Sequence, residues 1–499
     1  MAERTADRML AATAARHPDR VAVRSATGAL TYAELDEAVT RCARALRTLV
    51  GPSRQIIALA SLLDMSFAVA YYGIMRSGNM VAPINPLLRE PELRHVVDTS
   101  QARLAIVNQD VADRLSAMRA ELPSLTELRL IGDGEPLLAS VTPADGPLPA
   151  TRPDDVAAVH FTSGTTGPSK AVMLTHDNIT VNAGQVARAH HLDHDSVSLN
   201  FLPTYHPMHL NSAVMVGAAQ VLWTDPDVAK SIGAANEYHA THYYSLPMRL
   251  TRLAADSRLA SLSLRTVRMI ASGGSALAPA VARTLSDHFG VPVFQGYGLA
   301  ETSPLTHSDG PVGTRPGSVG PPVDGTECRI VQVDSRAVVG PGEPGEVQVR
   351  GPQLMKGYLS APDSSFTDAD GWLSTGDVGH QDADGYLFLV DRIKDVFKCD
   401  NWLVSPSQIE QVLAGHPAVA DCVVVDCPDE FSGAVATAMI VRSGADGADE
   451  IAAWANERMP YYQHLRHIEV VERIPRSANG KLQRRELRTR LTQLRGEGT

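Results

Sequence analysis

Lysine is nearly missing from this chain: of 45 basic residues only six are lysine, at positions 170, 230, 356, 394, 398 and 481. Arginine is the default cation, so each remaining lysine marks a place where a compact, mobile ammonium is wanted. Cysteine is also sparse. Its five copies (Cys42, Cys328, Cys399, Cys422, Cys427) form no ligand spacing, which argues against a structural metal and for a reducing cytoplasm. No apolar run reaches membrane-spanning length; the stretch from Ile56 to Leu63 comes nearest and is short. The first eight residues lack the apolar core of a signal peptide. A net charge of −11 leaves no excess of basic residues for a general nucleic-acid binder. What remains is a soluble globular chain, and 499 residues are too many for one ordinary core, so two or more domains are expected.

The least ordinary segment runs from Phe161 to Lys170. Four hydroxyl residues (Thr162, Ser163, Thr165, Thr166) and two glycines (Gly164, Gly167) precede Lys170. The segment Val156 to Phe161 reads as a buried strand, and Ala171 to Leu174 as another apolar run. Glycines let backbone N–H groups converge on an anion, hydroxyls add donors, and a lysine adds charge, so this composition suits a phosphate cradle. The spacing Gly-x-x-Gly-x-x-Lys is not that of a P-loop NTPase. Taken alone, the same residues equally suit a flexible surface loop.

Thr31 with Glu34 is a capping-box signature ahead of a helix through about Leu49. Apolar runs then alternate with helical patterns, which predicts layered α/β structure with largely parallel sheets. A Pro/Asp-rich connection spans Val141 to Pro149. Two further strands, ahead of Gly273-Gly274-Ser275 and through Gln295-Gly296-Tyr297-Gly298, empty into glycines, and ligands in open α/β sheets gather at such strand ends. From about Arg329 the texture turns to hairpins: Glu346 to Arg350 alternates, and Asp384-Gly385 predicts a type I′ turn. Ser405-Pro406 opens a helix, strands follow at Cys422 to Val425 and Ala436 to Val441, a helix starts at Asp449, and the chain ends on a basic helix. The expected architecture is a large N-terminal domain of layered α/β sheets with a β-rich subdomain, residues 1–391, and a small α+β C-terminal domain on a hinge, residues 392–499.

Five segments in order resemble the adenylate-forming superfamily of acyl- and aryl-CoA synthetases, peptide-synthetase adenylation domains and firefly luciferase. They are Thr162 to Lys170, Gln295 to Glu301 with Thr302-Ser-Pro, Ser374-Thr-Gly-Asp377, Asp391-Arg392-Ile-Lys394-Asp, and Pro475 to Lys481. The likeness covers Thr31 to Leu487. It implies a two-step reaction: a carboxylate attacks the α-phosphate of Mg-ATP, then a thiol or amine takes the acyl group after the small domain turns about Lys394. By the same likeness, residues 162–170 grip phosphates, Gly273, Gly274, Ser275, Gln295, Gly296, Tyr297 and Gly298 hold the adenine end, and Asp377 with Arg392 holds the ribose. Glu301 and Thr165 are the implied Mg²⁺ ligands, and Lys481 the catalytic cation. Each has a plainer reading on its own: Tyr297 as core packing, Asp377 as a turn, Arg392 as a surface charge, Lys481 as a solvated turn. The placement of lysines 170, 394, 398 and 481 in or beside these motifs weighs against those readings, and Lys356 lies in another family-like segment.

Three departures bear on function. Ala300 replaces a threonine before Glu301, removing one hydrogen bond worth about 0.5–1.5 kcal/mol. Ser169 and Ala171 replace a proline and a glycine around Lys170. Lys398-Cys-Asp-Asn401-Trp402 stands where CoA ligases have Lys-x-x-Gly at the pantetheine tunnel, and Tyr462-Gln-His-Leu465 lacks the lysine and proline usual there. CoA is the first expectation for the acceptor, with an amine or an acyl carrier protein as alternatives. A non-catalytic nucleotide sensor is the remote one. The Leu202 to His206 segment has no aspartate for an α-ammonium, so an α-amino acid is not expected as substrate. Tyr205, His206, Asn211, Ser212, Tyr244, Ser245, Met248 and Gly298 are the candidates to line the acid pocket. His206 is either catalytic or a packed core histidine. A soluble cytoplasmic monomer or homodimer, with neither nucleic-acid nor membrane partner, completes the expectation.

Overall fold

The computed structural model describes residues 4–52, 54–132, 137–162, 169–202, 205–361, 364–400 and 402–475, with positions 484, 487 and 488 beyond them. Backbone contacts divide the chain into two units. One comprises residues 1–327, 349–373 and 385–387; the other comprises 328–348, 374–384 and 388–499.

The first unit is built on two large sheets. The eight-stranded sheet runs, in spatial order, Leu305–Ser308, Val293–Gly298, Met269–Ser272, His242–Ser245, Val197–Asn200, Ala219–Leu222, Val21–Ser25 and Gly28–Thr31. It is parallel except at its two edges. The seven-stranded sheet runs Gly357–Tyr358, Ala171–Thr175, Val156–Phe161, Met80–Pro83, Ile56–Ala60, Leu104–Val107 and Glu127–Leu130, again parallel at its centre. Strand alternation distributes one core to each face. Ile57 and Leu59 face a cluster shared with helices Tyr32–Val50, Met65–Arg76 and Met208–Val216, while Ala58 and Ala60 face Val96, Val97 and Val111. The same shared cluster includes Ala22 of the other sheet. A separate core, with Tyr243, Ile270, Leu250 and Leu285, covers that sheet's second face. The order is helix, sheet, helix, sheet, helix, the expected layered α/β design.

Local signals explain the elements. Thr31 caps the helix Tyr32–Val50 through Glu34, with both halves of the capping box formed. The helix Met65–Arg76 is apolar around most of its circumference and is buried accordingly. Its Gly73 allows the close approach of Cys42, since a Cβ there would lie 2.7 Å from the Cys42 Sγ.

The second unit holds a four-stranded sheet (Glu327–Val331, Gly345–Arg350, Leu373–Gln381, Leu387–Arg392), whose strand ends run into the first unit, and a smaller sheet formed by Trp402–Val404, Phe397–Cys399, Gly433–Arg442, Val419–Asp429 and Leu465–Val470. Ser405 caps the helix Pro406–Ala414 by accepting from the Gln408 N–H. One turn differs from expectation. Type I′ needs positive φ at both central residues, yet at Asp384-Gly385 only Gly385 has it (φ +83°). The Asp382 carboxylate accepts from the Asp384 N–H, and the chain takes a longer loop between Gln381 and Leu387. The expected basic C-terminal helix falls almost wholly outside the described residues. Among those residues, no helix is long and apolar enough to cross a membrane.

Candidate active site

The strands Val156–Phe161 and Ala171–Thr175 are antiparallel neighbours in one hairpin. Its neck is tightly closed. The Thr162 N–H donates to the Lys170 carbonyl (3.0 Å), and the Lys170 N–H donates to Thr162 Oγ1 (3.0 Å). The Ser169 hydroxyl donates to the Thr162 carbonyl, and the Ser169 carbonyl meets His95 Nε2 at 2.8 Å. Ser169, a departure from the family pattern, is therefore a brace of the neck. Ser163, Gly164, Thr165, Thr166 and Gly167 lie outside the described residues.

The Lys170 ammonium sits 4.9 Å from the centroid of the Tyr358 ring. Pairing of Gly357 with Met173 and of Tyr358 with Val172 brings this tyrosine beside the hairpin. The Tyr358 hydroxyl donates to Glu301 Oε1 at 3.0 Å, and the Met355 N–H donates to the Glu301 carbonyl at 2.8 Å. Burial, with the adjacent Glu301 charge, pushes the phenol well above its ordinary pKa and keeps it a donor. Lys170, Tyr358 and Glu301 thus form a line that the sequence did not single out. Its signal was Lys356-Gly-Tyr358 in the family-like segment; Lys356 itself donates to the Asp154 carbonyl (3.1 Å).

The two strands expected to hold the adenine end, Met269–Ser272 and Val293–Gly298, are parallel neighbours that run into their glycines. A Cβ on Gly273 or Gly274 would meet nothing within 4 Å, which leaves room at the backbone for a flat base. Ser275 is exposed, and Tyr297 is buried with its ring 5.9 Å from His307. Gln295 has a different task from the one expected. Its Oε1 accepts from the Leu277 N–H (2.8 Å) and its Nε2 donates to the Ser318 carbonyl (3.0 Å), so the side chain braces the strand ends. Gly298 is required by packing, since a Cβ there would lie 1.9 Å from the Pro304 carbonyl oxygen; one on Gly296 would lie 2.9 Å from Leu305 Cδ1 and 3.2 Å from the His307 carbonyl oxygen.

The acid-pocket candidates do not all converge. Tyr205 and His206 stand together, ring centroids 4.6 Å apart, just before the helix Met208–Val216. His206 is exposed, which removes the packed-core reading for it. The packed histidine is His209, 6% exposed, with its ring centroid 3.9 Å from that of Tyr244. Burial drives the His209 pKa down to about 3, so the ring is neutral. Ser212 lies one turn along and donates to the His209 carbonyl (3.1 Å). Asn211 faces the other way. It accepts from the Tyr72 hydroxyl (2.8 Å) and donates to the Tyr71 hydroxyl (3.1 Å), a buried knot between two helices that uses both ends of the amide. Ser245 follows Tyr244 on its strand and so points to the opposite sheet face. Met248 is half exposed.

In the second unit, Arg392 Nε lies 3.2 Å from Asp377 Oδ1, and the Asp377 N–H donates to Thr375 Oγ1 (3.1 Å). This pairing holds a carboxylate acceptor and a guanidinium donor side by side, a set suited to sugar hydroxyls. Burial lowers the Lys394 pKa against the opposing pull of Asp395. Nearby, Arg484 donates to both oxygens of Glu410 (2.8 and 2.7 Å). Trp402 and Tyr462, two sequence departures, stack face to face with centroids 5.1 Å apart, and Trp402 is 54% exposed. Asn401 and Lys481 lie outside the described residues.

Comparison with known proteins agrees with this geometry. Residues 10–359 match the AMP-binding enzyme family, and residues 408–481 match the AMP-binding enzyme C-terminal domain. The chain is 31% identical to 4-coumarate–CoA ligase 2 of Oryza sativa subsp. japonica, covering 96% of this chain and 91% of that one. It is 32% identical to a feruloyl-CoA synthase of an Amycolatopsis species, covering 95% and 96%. Among solved structures, the anthranilate CoA ligase AuaEII in complex with anthranoyl-AMP superposes with a TM-score of 0.87 at 26% identity, covering 97% of this chain and 96% of that one. The chain belongs to the AMP-binding enzyme family, within the adenylate-forming superfamily of AMP-forming ligases.

Proposed function

We propose that this enzyme joins a carboxylic acid to CoA in two ATP-driven half-reactions, with an acyl- or aryl-adenylate between them. The line Lys170–Tyr358–Glu301 carries the reading, because it sets a mobile cation and an anchored carboxylate on either side of one aromatic ring. In the first half-reaction a carboxylate oxygen of the acid attacks the α-phosphorus of ATP, and the bond to the bridging oxygen breaks to release pyrophosphate. Lys170 and the hydroxyl loop hold the leaving phosphates by charge and hydrogen bonds. The room at Gly273 and Gly274 takes the base against Tyr297, and Asp377 with Arg392 takes the ribose hydroxyls. Glu301, with Thr165, offers the hard oxygens Mg²⁺ prefers; the ion would supply charge neutralisation on the phosphates. Lys481 would offset charge between the acid and the α-phosphate.

In the second half-reaction the CoA sulfur attacks the acyl carbonyl carbon, the C–O bond to phosphate breaks, and AMP leaves. The domain boundary at residues 391/392, with Lys394 in the hinge, belongs to this proposal. The stacked Trp402 and Tyr462 at the departed positions favour one second reading, transfer to an amine or a carrier-protein thiol instead. Acid-dependent pyrophosphate exchange over a panel of acyl and aryl acids tests the first half-reaction, and its absence for every acid would refute the proposal. Adding CoA to the preformed adenylate tests the second. Release of AMP with thioester is expected, whereas adenylate inert to CoA but consumed by amines selects the second reading.

A further inference from the structure

Arg484, Leu487 and Arg488 of the basic C-terminal segment are helical and, spaced by three and four residues, share one helix face. That face is docked. Leu487 is fully buried in a cluster with Val423, Val425, Met439 and Ile474. Arg484 Nη2 donates to both Glu410 oxygens (2.8 and 2.7 Å) and to Ser407 Oγ (3.1 Å), and its Nε donates to the Val424 carbonyl (3.2 Å). Its Nη1 lies 3.9 Å from Asp391 Oδ1 and 4.0 Å from Asp395 Oδ2. Arg488 adds an ion pair with Asp426, an approach of 4.0 Å to Asp395 and a hydrogen bond to the Lys394 carbonyl (3.5 Å).

The two arginines therefore join segments that are distant in sequence. Asp391 and Asp395 bracket the hinge residues Arg392, Ile393 and Lys394. Asp391 Oδ2 also accepts from the Ser405 hydroxyl (3.1 Å) and the Ser407 N–H (3.0 Å). Three carboxylates, Asp391, Asp395 and Glu410, meet at one guanidinium, and none of the four side chains is more than 14% exposed. Carboxylates this buried repel one another unless a cation sits among them. In the other direction the chain leads from Arg484 to Lys481. Three residues span at most about 11 Å even when fully extended. Ile474, ahead of the same segment, lies in the cluster that buries Leu487. Both ends of the segment carrying Lys481 are thus fixed to the strands Val419–Asp429 and Gly433–Arg442, and the Arg484 end is fixed to the hinge as well.

We propose that Arg484 is a positioning residue for adenylation, which locks the segment carrying Lys481 to the hinge so that the lysine keeps one position relative to it. This rests on the reading above in which Lys481 offsets charge between the acid and the α-phosphate. Arg484 touches no reactant and acts through Lys481. A lysine is a point charge on a flexible four-carbon stem, so its backbone must be held if its ammonium is to be held. A displacement of about 1 Å in a group that works in the transition state costs as much as about 100-fold in rate.

The test measures the two half-reactions separately in the full chain. One is pyrophosphate exchange with an accepted acid; the other is consumption of supplied acyl-adenylate by CoA, or by an amine if the second reading holds. Arg484→Lys keeps a cation among the three carboxylates but loses the two-pronged grip on Glu410. It is expected to lower kcat for exchange by about 10- to 100-fold, with KM for ATP and acid and the rate of adenylate consumption each within about threefold of wild type. Lys481→Ala sets the floor. Adding Arg484→Lys to it is expected to lower exchange no further, because a residue acting through Lys481 then has nothing left to act on. Glu410→Gln, which loosens Arg484 from the opposite side, is expected to lower exchange in the same sense and supplies the measurement should Arg484→Lys fail to fold. Equal losses in both half-reactions, or a double variant weaker than Lys481→Ala by the full Arg484→Lys factor, overturn the proposal while leaving acid activation intact. Undiminished exchange by Lys481→Ala overturns the role of Lys481 and this proposal with it, and no exchange by wild type with any acid overturns acid activation itself.

Discussion

Replacing Tyr358 with phenylalanine removes one hydroxyl and leaves the ring beneath Lys170. The lost interaction is the 3.0 Å hydrogen bond to Glu301 Oε1. A hydrogen bond to an ionised acceptor contributes about 1.5–3 kcal/mol, and tenfold in rate corresponds to about 1.4 kcal/mol, so full expression would cost about 10- to 150-fold. Tyr358 is only half buried, and water can replace part of its donation, which places the expected loss in the lower part of that range. The loss should appear in adenylation, because Glu301 freed of its tether is less ordered toward Mg²⁺. Initial rates of pyrophosphate exchange, measured across a Mg²⁺ titration, should show a lower plateau and a higher half-saturating Mg²⁺ concentration. Tyr358→Ala, which also removes the ring under Lys170, should lose more than the phenylalanine variant. A Tyr358→Phe enzyme within twofold of wild type at every Mg²⁺ concentration would show that Glu301 needs no such tether, and the reasoning would fail.

Two further outcomes are expected. Burial raises the Asp309 pKa to about 6; Oδ2 accepts from the Arg315 N–H, and Oδ1 is buried without a hydrogen-bond partner among the described residues. Because the folded state holds this proton to higher pH than the unfolded chain does, the stability it contributes is full below about pH 4 and is lost as pH rises through about 6. Asp309→Asn, which cannot ionise, should therefore raise the unfolding free energy at pH 8 by about 1–3 kcal/mol and give no gain at pH 4; equal destabilisation at both pH values would contradict this. Trp402→Ala should leave pyrophosphate exchange within about twofold of wild type but shift KM for CoA in the thioester-forming step by threefold or more, as a lost stacking partner of about 0.5–1.5 kcal/mol implies. Unchanged kinetics in both steps would remove Trp402 from the acceptor question.

Much of the fold was legible because its signals are local. Thr31 and Glu34 announce a capped helix and form one; Ser405-Pro406 does the same. The turn at Asp384-Gly385 misled because Asp382, two residues upstream, captures the Asp384 N–H, and a dipeptide signature takes no account of that competitor. The site was legible as motifs and not as contacts. Tyr358 reaches Glu301 only through long-range strand pairing with Val172, which no spacing encodes. The histidines of the segment 206–209 were indistinguishable in sequence. Which one packs depends on where the helix begins, and with Met208 as its first residue His209 faces Tyr244 while Asn211 turns to Tyr71 and Tyr72.

The departures from the family pattern become more coherent once their side chains are placed. Ser169 stands for a proline, and it replaces rigidity in the chain with a hydrogen bond across the hairpin neck, from its hydroxyl to the Thr162 carbonyl. Trp402 and Tyr462 are far apart in sequence, yet their rings stack nearly parallel, at 11°. Two unrelated drifts at separate positions would not be expected to produce mutual contact area. A stacked pair is coupled energetically, so the second change is favoured only once the first is present. They should therefore be treated as one alteration, Trp402 being next to Asn401, the residue that stands where the resemblance to CoA ligases implies a glycine.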